Sequence, residues 1–312
     1  MRPAIRLGLQ IGKALPRGAR RVVLRRELRF QNRERISNFD FTLSDRHRPP
    51  GVSAMVRVKN EEAKLSYVLG SIVDVFDEIL VVDNASVDRT LEVALAIKSQ
   101  RDRRDKIRLY SYPFRVARVG QEHLATPEDS VHSLTYYYNW CLSLCSYRYV
   151  CKWDGDMVLR RGAKPAVARL FRMVQWDEVL WVLPGQQVYR DPAHRYYLAK
   201  GEIFQEPVLF PNGINPRFYK ADQFEDLVAR PPLPVKTFVG PAFYELQFTD
   251  QDEFAHWTTP VFPPGSKKQR QWDSFHMIKQ GKTDEGRFDL LPADFLDAEV
   301  DSAPAGPGMR QP

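Results

Sequence analysis

No run of more than five consecutive apolar residues occurs in this chain. The two longest, Val93 to Ile97 and Val179 to Leu183, fall far short of the about 20 residues that a membrane-spanning helix needs. A mean hydropathy of -0.44 agrees with that exclusion. Cysteine is scarce: Cys141, Cys145 and Cys151 are an odd trio without CxxC spacing, which argues against a disulfide framework and a zinc cluster, and suits a reducing cytosol. Neither GxGxxG nor GxxxxGK[ST] occurs, so a dinucleotide fingerprint and a P-loop are both missing. With 17 Gly, 23 Pro and 12% aromatic residues, collagen-like and wholly disordered chains are excluded as well. What remains, 43% apolar and 27% charged over 312 residues, suits one large α/β domain or two small ones.

The net charge of +7 is unevenly spread. Residues 1 to 35 carry eleven Arg and Lys against Glu27 and Glu34, a net of +9, so the other 277 residues sum to -2. A nearly neutral body offers no broad basic face, which makes nucleic acid an unlikely partner. The basicity belongs to an arm, residues 1 to 41, whose apolar residues are interrupted by Gly8, Gly12, Pro16 and Gly18. That pattern predicts two short amphipathic pieces, partly ordered at most, and lacks the unbroken apolar stretch of a secretory signal. Three roles fit the arm: a solvated segment, an organellar transit peptide, or attachment to an anionic membrane surface. The last would make a cytoplasmic protein peripheral to the membrane.

A linker is expected over 42 to 51, where Pro49, Pro50 and Gly51 follow a polar stretch. From Val52 the pattern becomes strand Val52 to Val58, helix Glu61 to Val75, strand Glu78 to Val82, helix Asp88 to Ser99 and strand Lys106 to Tyr112. A helix over Leu134 to Leu144 and strands over Tyr147 to Trp153 and Val179 to Leu183 follow. Such alternation predicts an α/β fold whose parallel sheet binds its ligand at the carboxyl ends of the strands. The second half lacks clear periodicity, and a disordered tail is expected over 296 to 312.

Those strand ends present Lys59-Asn60-Glu61, Asp83-Asn84 and Asp154-Gly155-Asp156. Two carboxylates across a glycine turn can share Mg²⁺ or Mn²⁺, whose shell substrate phosphates usually complete. DxD alone is a weak signal, since Asp250-Gln251-Asp252 also matches it, but only Asp154 follows an apolar strand at the ligand edge.

Met55-Val-Arg-Val-Lys-Asn-Glu-Glu62, Asp77-Glu-Ile-Leu-Val-Val-Asp-Asn-Ala-Ser-Val-Asp-Arg-Thr90 and Lys152-Trp-Asp-Gly-Asp-Met-Val158 together resemble the family-two glycosyltransferases of the GT-A fold. The resemblance spans about Val52 to Leu159. It implies a GT-A type, mostly parallel sheet flanked by helices, with a nucleotide-sugar-binding half over 52–159 and an acceptor half over 160–295. It further implies a hexosyltransferase-like enzyme of cell-surface polysaccharide synthesis. Such an enzyme moves a sugar with inversion from a nucleotide-sugar donor to a saccharide or lipid-linked acceptor. On that resemblance Asn60, Glu61, Asp83, Asn84 and Asp154 would bind donor, and Asp154, Asp156 and His256 would bind Mn²⁺ or Mg²⁺. An acceptor hydroxyl must also lose its proton to a carboxylate. Glu206 is the first candidate for that base, and Glu225 and Asp226 are the others.

Several residues also carry plainer readings. His256 suits a hydrogen-bonded structural role, Lys267, Lys268 and Arg270 a solvated run rather than a loop over the diphosphate, and Tyr136, Tyr137, Tyr138 and Trp140 core packing rather than sugar stacking. Gln269-Arg270-Gln271-Trp272 departs from the QxxRW of processive members. Two alternatives to the enzyme are a GT-A-like binding protein held by its arm to anionic lipid or nucleic acid, and a nucleotidyltransferase, whose Gly-rich basic loop is absent after the first strand.

Overall fold

The structure is a computed structural model that describes residues 5–8, 25–100, 105–174, 178–222, 224–255, 257–258 and 262–300, with backbone alone at 5–8, 25, 206 and 207. In chain order the strands of the first half are β1 (Ile5–Gly8), β2 (Arg25–Phe30), β3 (Phe41–Ser44), β4 (Val52–Val58), β5 (Glu78–Asp83), β6 (Ile107–Ser111), β7 (Tyr149–Asp154) and β8 (Met157–Leu159). Those of the second are β9 (Leu180–Arg190), β10 (Tyr196–Pro211), β11 (Arg217–Lys220), β12 (Glu225–Val228), β13 (Val235–Thr237), β14 (Phe243–Phe248) and β15 (Phe288–Leu290). The helices are α1 (Leu65–Ile72), α2 (Thr90–Lys98), α3 (Gln121–Ala125), α4 (Leu134–Leu144), α5 (Lys164–Met173), α6 (Lys267–Lys279) and α7 (Phe295–Glu299).

The main sheet runs β6-β5-β4-β7-β10-β9-β14-β8. Its first four strands are parallel, and β10 then pairs antiparallel with β7, Leu209 opposite Cys151. This is the GT-A type fold, a parallel first half continued by mixed strands, β9 antiparallel to β10 and parallel to β14 and β8 antiparallel to β14. Its cause is visible in β4, where every residue is buried. Ala54, Val56 and Val58 pack towards α1 and α5, while Met55 packs towards α4, so the strand is apolar on both faces and must lie inside a covered sheet. Arg57 shares the Met55 face by the two-residue period of a strand. A positive charge is thus carried into the interior by an otherwise apolar segment.

Two stretches read as arm, linker and tail are joined to this body. In β2 and β3, Leu28 packs beside Leu43 in a register that sends Leu28, Phe41 and Leu43 into the core against α4. Phe41 meets the Tyr136 ring edge-on at 5.0 Å. The expected boundary at residue 41 therefore falls at the first residue of a strand, and Leu28 and Phe30 of the arm lie on one face of a β-pair. Residues 9–24 of the arm lie outside the described residues. At the other end Leu296 and Val300 are buried. A Cβ on Gly70 of α1 would lie 2.6 Å from Val300, so the chain is packed against α1 up to residue 300 rather than released at 296. Residues 301–312 are outside the description.

Tyr136, Tyr137 and Trp140 are core residues, as their helical spacing suggests, and the three cysteines are buried and free. Among the described residues no helix is long and apolar enough to cross a membrane.

Candidate active site

The carboxyl ends of β4, β5 and β7 bring the three polar clusters to one edge. Asn60 has a positive φ of 57°, and there its backbone N–H donates to Ser86 Oγ at 2.9 Å while its Oδ1 accepts the Val87 N–H at 2.9 Å. Asp83 is buried and accepts the Ser86 N–H at 3.3 Å. Asn84 donates its amide to the carbonyls of Tyr112 and Phe114. Asn60 and Asn84 therefore brace the loops after β4 and β5. Asp83 lies beneath the second of those loops.

The glycine of Asp154-Gly155-Asp156 has a steric reason. A Cβ at Gly155 would lie 2.8 Å from Glu61 Cγ and 3.3 Å from the Arg57 carbonyl, so the turn closes directly on the end of β4. Its two carboxylates fall into different surroundings. Asp154 continues the Val150 and Lys152 face of β7, the side of α4, and is ion-paired with buried Arg57. Arg57 lies 3.7 Å from the Tyr138 ring centroid, so of the aromatic run in α4 this half-buried ring faces the site rather than the core interior. Lys152 pairs with buried Glu225 of β12 at 3.6 Å. Burial raises the Glu225 carboxyl, against the pull of Lys152 and Arg57.

Asp156 lies beyond the turn among more carboxylates. Its Oδ1 is sealed from solvent without a hydrogen-bond partner, and its Oδ2 is 3.5 Å from Gln247 Nε2. Burial, with Glu245 and Glu61 close by, holds the carboxyl well above its ordinary range, and Lys64 opposes the rise. Lys64 is itself buried, its Nζ 3.1 Å from Glu61 and 2.9 Å from Glu253. Burial works against the ammonium, but Glu61, Glu253 and Asp156 more than offset it and raise its pKa. Glu61 is pushed up to about 7 by burial, opposed by Lys64 and reinforced by Glu253 and Asp154.

The expected residues thus divide. Asn60, Glu61, Asp83, Asn84, Asp154, Asp156 and Glu225 converge on this edge. Glu206 lies on β10 opposite Leu183, three residues before Leu209, which faces Cys151; Asp154 is three residues after Cys151, so the two backbones run to the same end of neighbouring strands. Asp226 is exposed. His256 lies outside the described residues. Asp250, the decoy DxD, is held by Arg190 at 2.9 Å. Lys267 and Lys268 open α6 rather than a loop; Lys267 reaches Glu245 at 3.6 Å and lies over the Phe204 ring. Arg57, Lys64, Lys152, Glu245 and Glu253 were not singled out from sequence. Two of them left a trace: Arg57 interrupts the apolar run Ala54 to Val58, and Lys64 stands four residues before Val68 and eight before Ile72, on the apolar line of the helix.

Among the described residues no group of three or more His, Cys, Asp or Glu is already arranged around a common point for a metal. The donor chemistry nevertheless suits a hard divalent cation. Six carboxylates, Glu61, Asp154, Asp156, Glu225, Glu245 and Glu253, face four cations, Arg57, Lys64, Lys152 and Lys267. The carboxylates outnumber these cations, the set is all oxygen, and Asp156 offers a buried oxygen with no hydrogen-bond partner.

No protein-family model and no curated protein matches the chain. Solved structures with local similarity include Staphylococcus aureus TarS 1-349, at 14% identity over 62% of this chain and 60% of that one, with a TM-score of 0.36. Another is a mycobacterial protein, at 19% identity over 46% and 42%, with a TM-score of 0.29. A third is glucosyl-3-phosphoglycerate synthase from Mycobacterium tuberculosis in complex with Mn²⁺, UDP-glucose and phosphoglyceric acid, at 19% identity over 46% and 44%, with a TM-score of 0.26. The chain therefore spans less than two thirds of the length of each.

Proposed function

We propose that the chain is a metal-dependent, inverting and non-processive glycosyltransferase that moves a sugar, hexosyl by preference, from a nucleotide-sugar donor to a saccharide or lipid-linked acceptor of cell-surface polysaccharide synthesis. The observation that carries this reading is the Asp154-Gly155-Asp156 turn at the carboxyl ends of the parallel strands, with an unpartnered buried oxygen on Asp156 and raised carboxyls around it. A binding module needs no such concentration of raised carboxyls. A transferase does, because perturbed carboxylates at a sheet edge are the groups that hold a cation and move a proton.

In this reading 52–159 is the donor half and 160–295 the acceptor half. Asp83 and Asn60 bound the pocket for base and ribose, with Asn84 and Ser86 fixing its loops. Asp154 and Asp156 hold Mn²⁺ or Mg²⁺, with His256 a further ligand. The bound ion would supply Lewis-acid neutralisation of the leaving diphosphate. Arg57 orients Asp154, and the Tyr138 face behind it keeps the guanidinium dry and strong. Lys267, at the start of α6 beside Glu245, meets the diphosphate from the acceptor side.

For the base, Glu225 now leads. Its support is a carboxyl raised by burial that shares the cations Lys152 and Arg57 with Asp154; a base works best with a pKa near the working pH. Glu206 keeps support from the backbone course of β10, whereas exposed Asp226 has little. Turnover of a nucleotide-sugar panel with Mn²⁺ tests the whole proposal. Donor-dependent product that vanishes in Asp156→Ala supports it. Donor binding without hydrolysis or transfer, over the full panel and with both metals, refutes the enzyme and leaves a binding protein.

A further inference from the structure

Lys64 is the least expected charge in the molecule. It is 1% exposed, and it occupies the N-cap of α1, where the helix dipole repels a cation. Burial and dipole both oppose it, and its side chain makes no capping hydrogen bond at the helix start. What holds it is charge. Its Nζ lies 3.1 Å from Glu61 and 2.9 and 3.2 Å from the two oxygens of Glu253, with Asp156 in electrostatic range. Glu253 belongs to the segment after β14 and also accepts the Phe248 N–H at 2.8 Å. A buried cation from α1 therefore bridges the donor edge to the acceptor half, inside the same carboxylate set as the second aspartate of the turn.

We propose that Lys64 is a resident cation that weakens the donor edge's affinity for a divalent ion, so that metal is held firmly only once a nucleotide's phosphates add their own negative charge. The inference rests on the reading of Asp154 and Asp156 as metal ligands. Its logic is charge balance. Lys64 places one positive charge among these carboxylates; without it the set loses that charge, and the site draws a dication more strongly. Lys64 is a positioning residue in this scheme, since it acts through Asp156 and Glu61 and touches no reacting atom.

The test is Mn²⁺ binding by the full chain in the absence of nucleotide, read by electron paramagnetic resonance of free Mn²⁺ and by the Mn²⁺ dependence of the melting temperature. Lys64→Met is expected to bind Mn²⁺ about tenfold tighter or more, as removal of one nearby unit charge from a partly buried dication site implies. Lys64→Arg should stay close to the wild type. Lys64→Met combined with Glu253→Gln removes one charge of each sign and should return the affinity towards the wild type, a result that a purely structural role would not produce. If Lys64→Met folds only with Mn²⁺ present, the scheme is supported. If it fails to fold even then, Lys64→Gln replaces it in the same comparison. Wild type that binds Mn²⁺ while folded Lys64→Met binds it no more tightly overturns the Lys64 inference alone. If neither binds Mn²⁺, the metal-site reading of Asp154 and Asp156 falls with it.

Discussion

Glu61→Gln gives the sharpest test of the electrostatics described here, because it separates charge from shape. The Glu61 carboxyl is raised from 4.5 to about 7, with burial the largest cause. Between those two values the folded chain keeps a proton that the unfolded chain has released, so stability falls as pH rises through that window. At about 1.4 kcal/mol per unit, the loss amounts to about 3 kcal/mol once the pH passes 7. Glutamine fixes the neutral form. Wild type and variant should therefore melt together near pH 4, whereas at pH 8 the variant should melt higher, by roughly 5 °C or more for a domain of this size. Because a divalent ion favours the ionised carboxylates, Mn²⁺ at pH 8 should raise the wild type more than the variant and narrow the gap. Calorimetry or fluorimetry at pH 4, 6 and 8, with and without Mn²⁺, checks this. A variant that melts below the wild type at pH 8 would show that Glu61 contributes more as a partner of Lys64 than it costs as a buried charge, and would refute the reasoning.

Four further outcomes are expected. Glu225→Gln should lower transfer by roughly 10²- to 10⁴-fold with donor affinity nearly unchanged, while Asp226→Asn costs little; if Glu206→Gln silences transfer and Glu225→Gln does not, the base is on β10. Gly155→Ala should destabilise the fold by about 1 to 3 kcal/mol, since the added methyl meets Glu61 and the Arg57 carbonyl, and an unchanged melting temperature would disprove that close approach. Leu43→Ala should cost about 2 to 5 kcal/mol in denaturant titration, because Leu43 is fully buried beneath α4. Deleting residues 1–24, which removes β1 from the edge of β2, should weaken binding to anionic vesicles at low salt and lower the melting temperature less than deleting 1–41, which also strips Leu28 and Phe41 from the core; equal vesicle binding by the full chain and the shorter deletion would end the membrane role of the arm.

The parallel first half of the sheet was legible in the sequence because its signals are local. Buried parallel strands are short apolar runs, and their ends can be read from the first polar residues after them, which is how Asn60, Asp83 and Asp154 reach one edge in both the sequence and the fold. Helix α4 begins and ends where its periodicity does, at Leu134 and Leu144. Alternation of a single strand, by contrast, says which residues share a face but not what covers it. Leu28, Phe30, Phe41 and Leu43 therefore looked like parts of an arm and a linker until pairing in register gave them a common inner face. The same limit applies to charge. Lys64, Glu245 and Glu253 are unremarkable in sequence, being 8 to 189 residues apart along the chain. They come together only through distances of about 3 to 4 Å between separate elements, set by packing that no local pattern encodes. Sequence by itself determined that the strand ends carry acids to one sheet edge; only the tertiary structure decided which of those acids meet cations and which cations they are, because those pairs form between elements far apart along the chain.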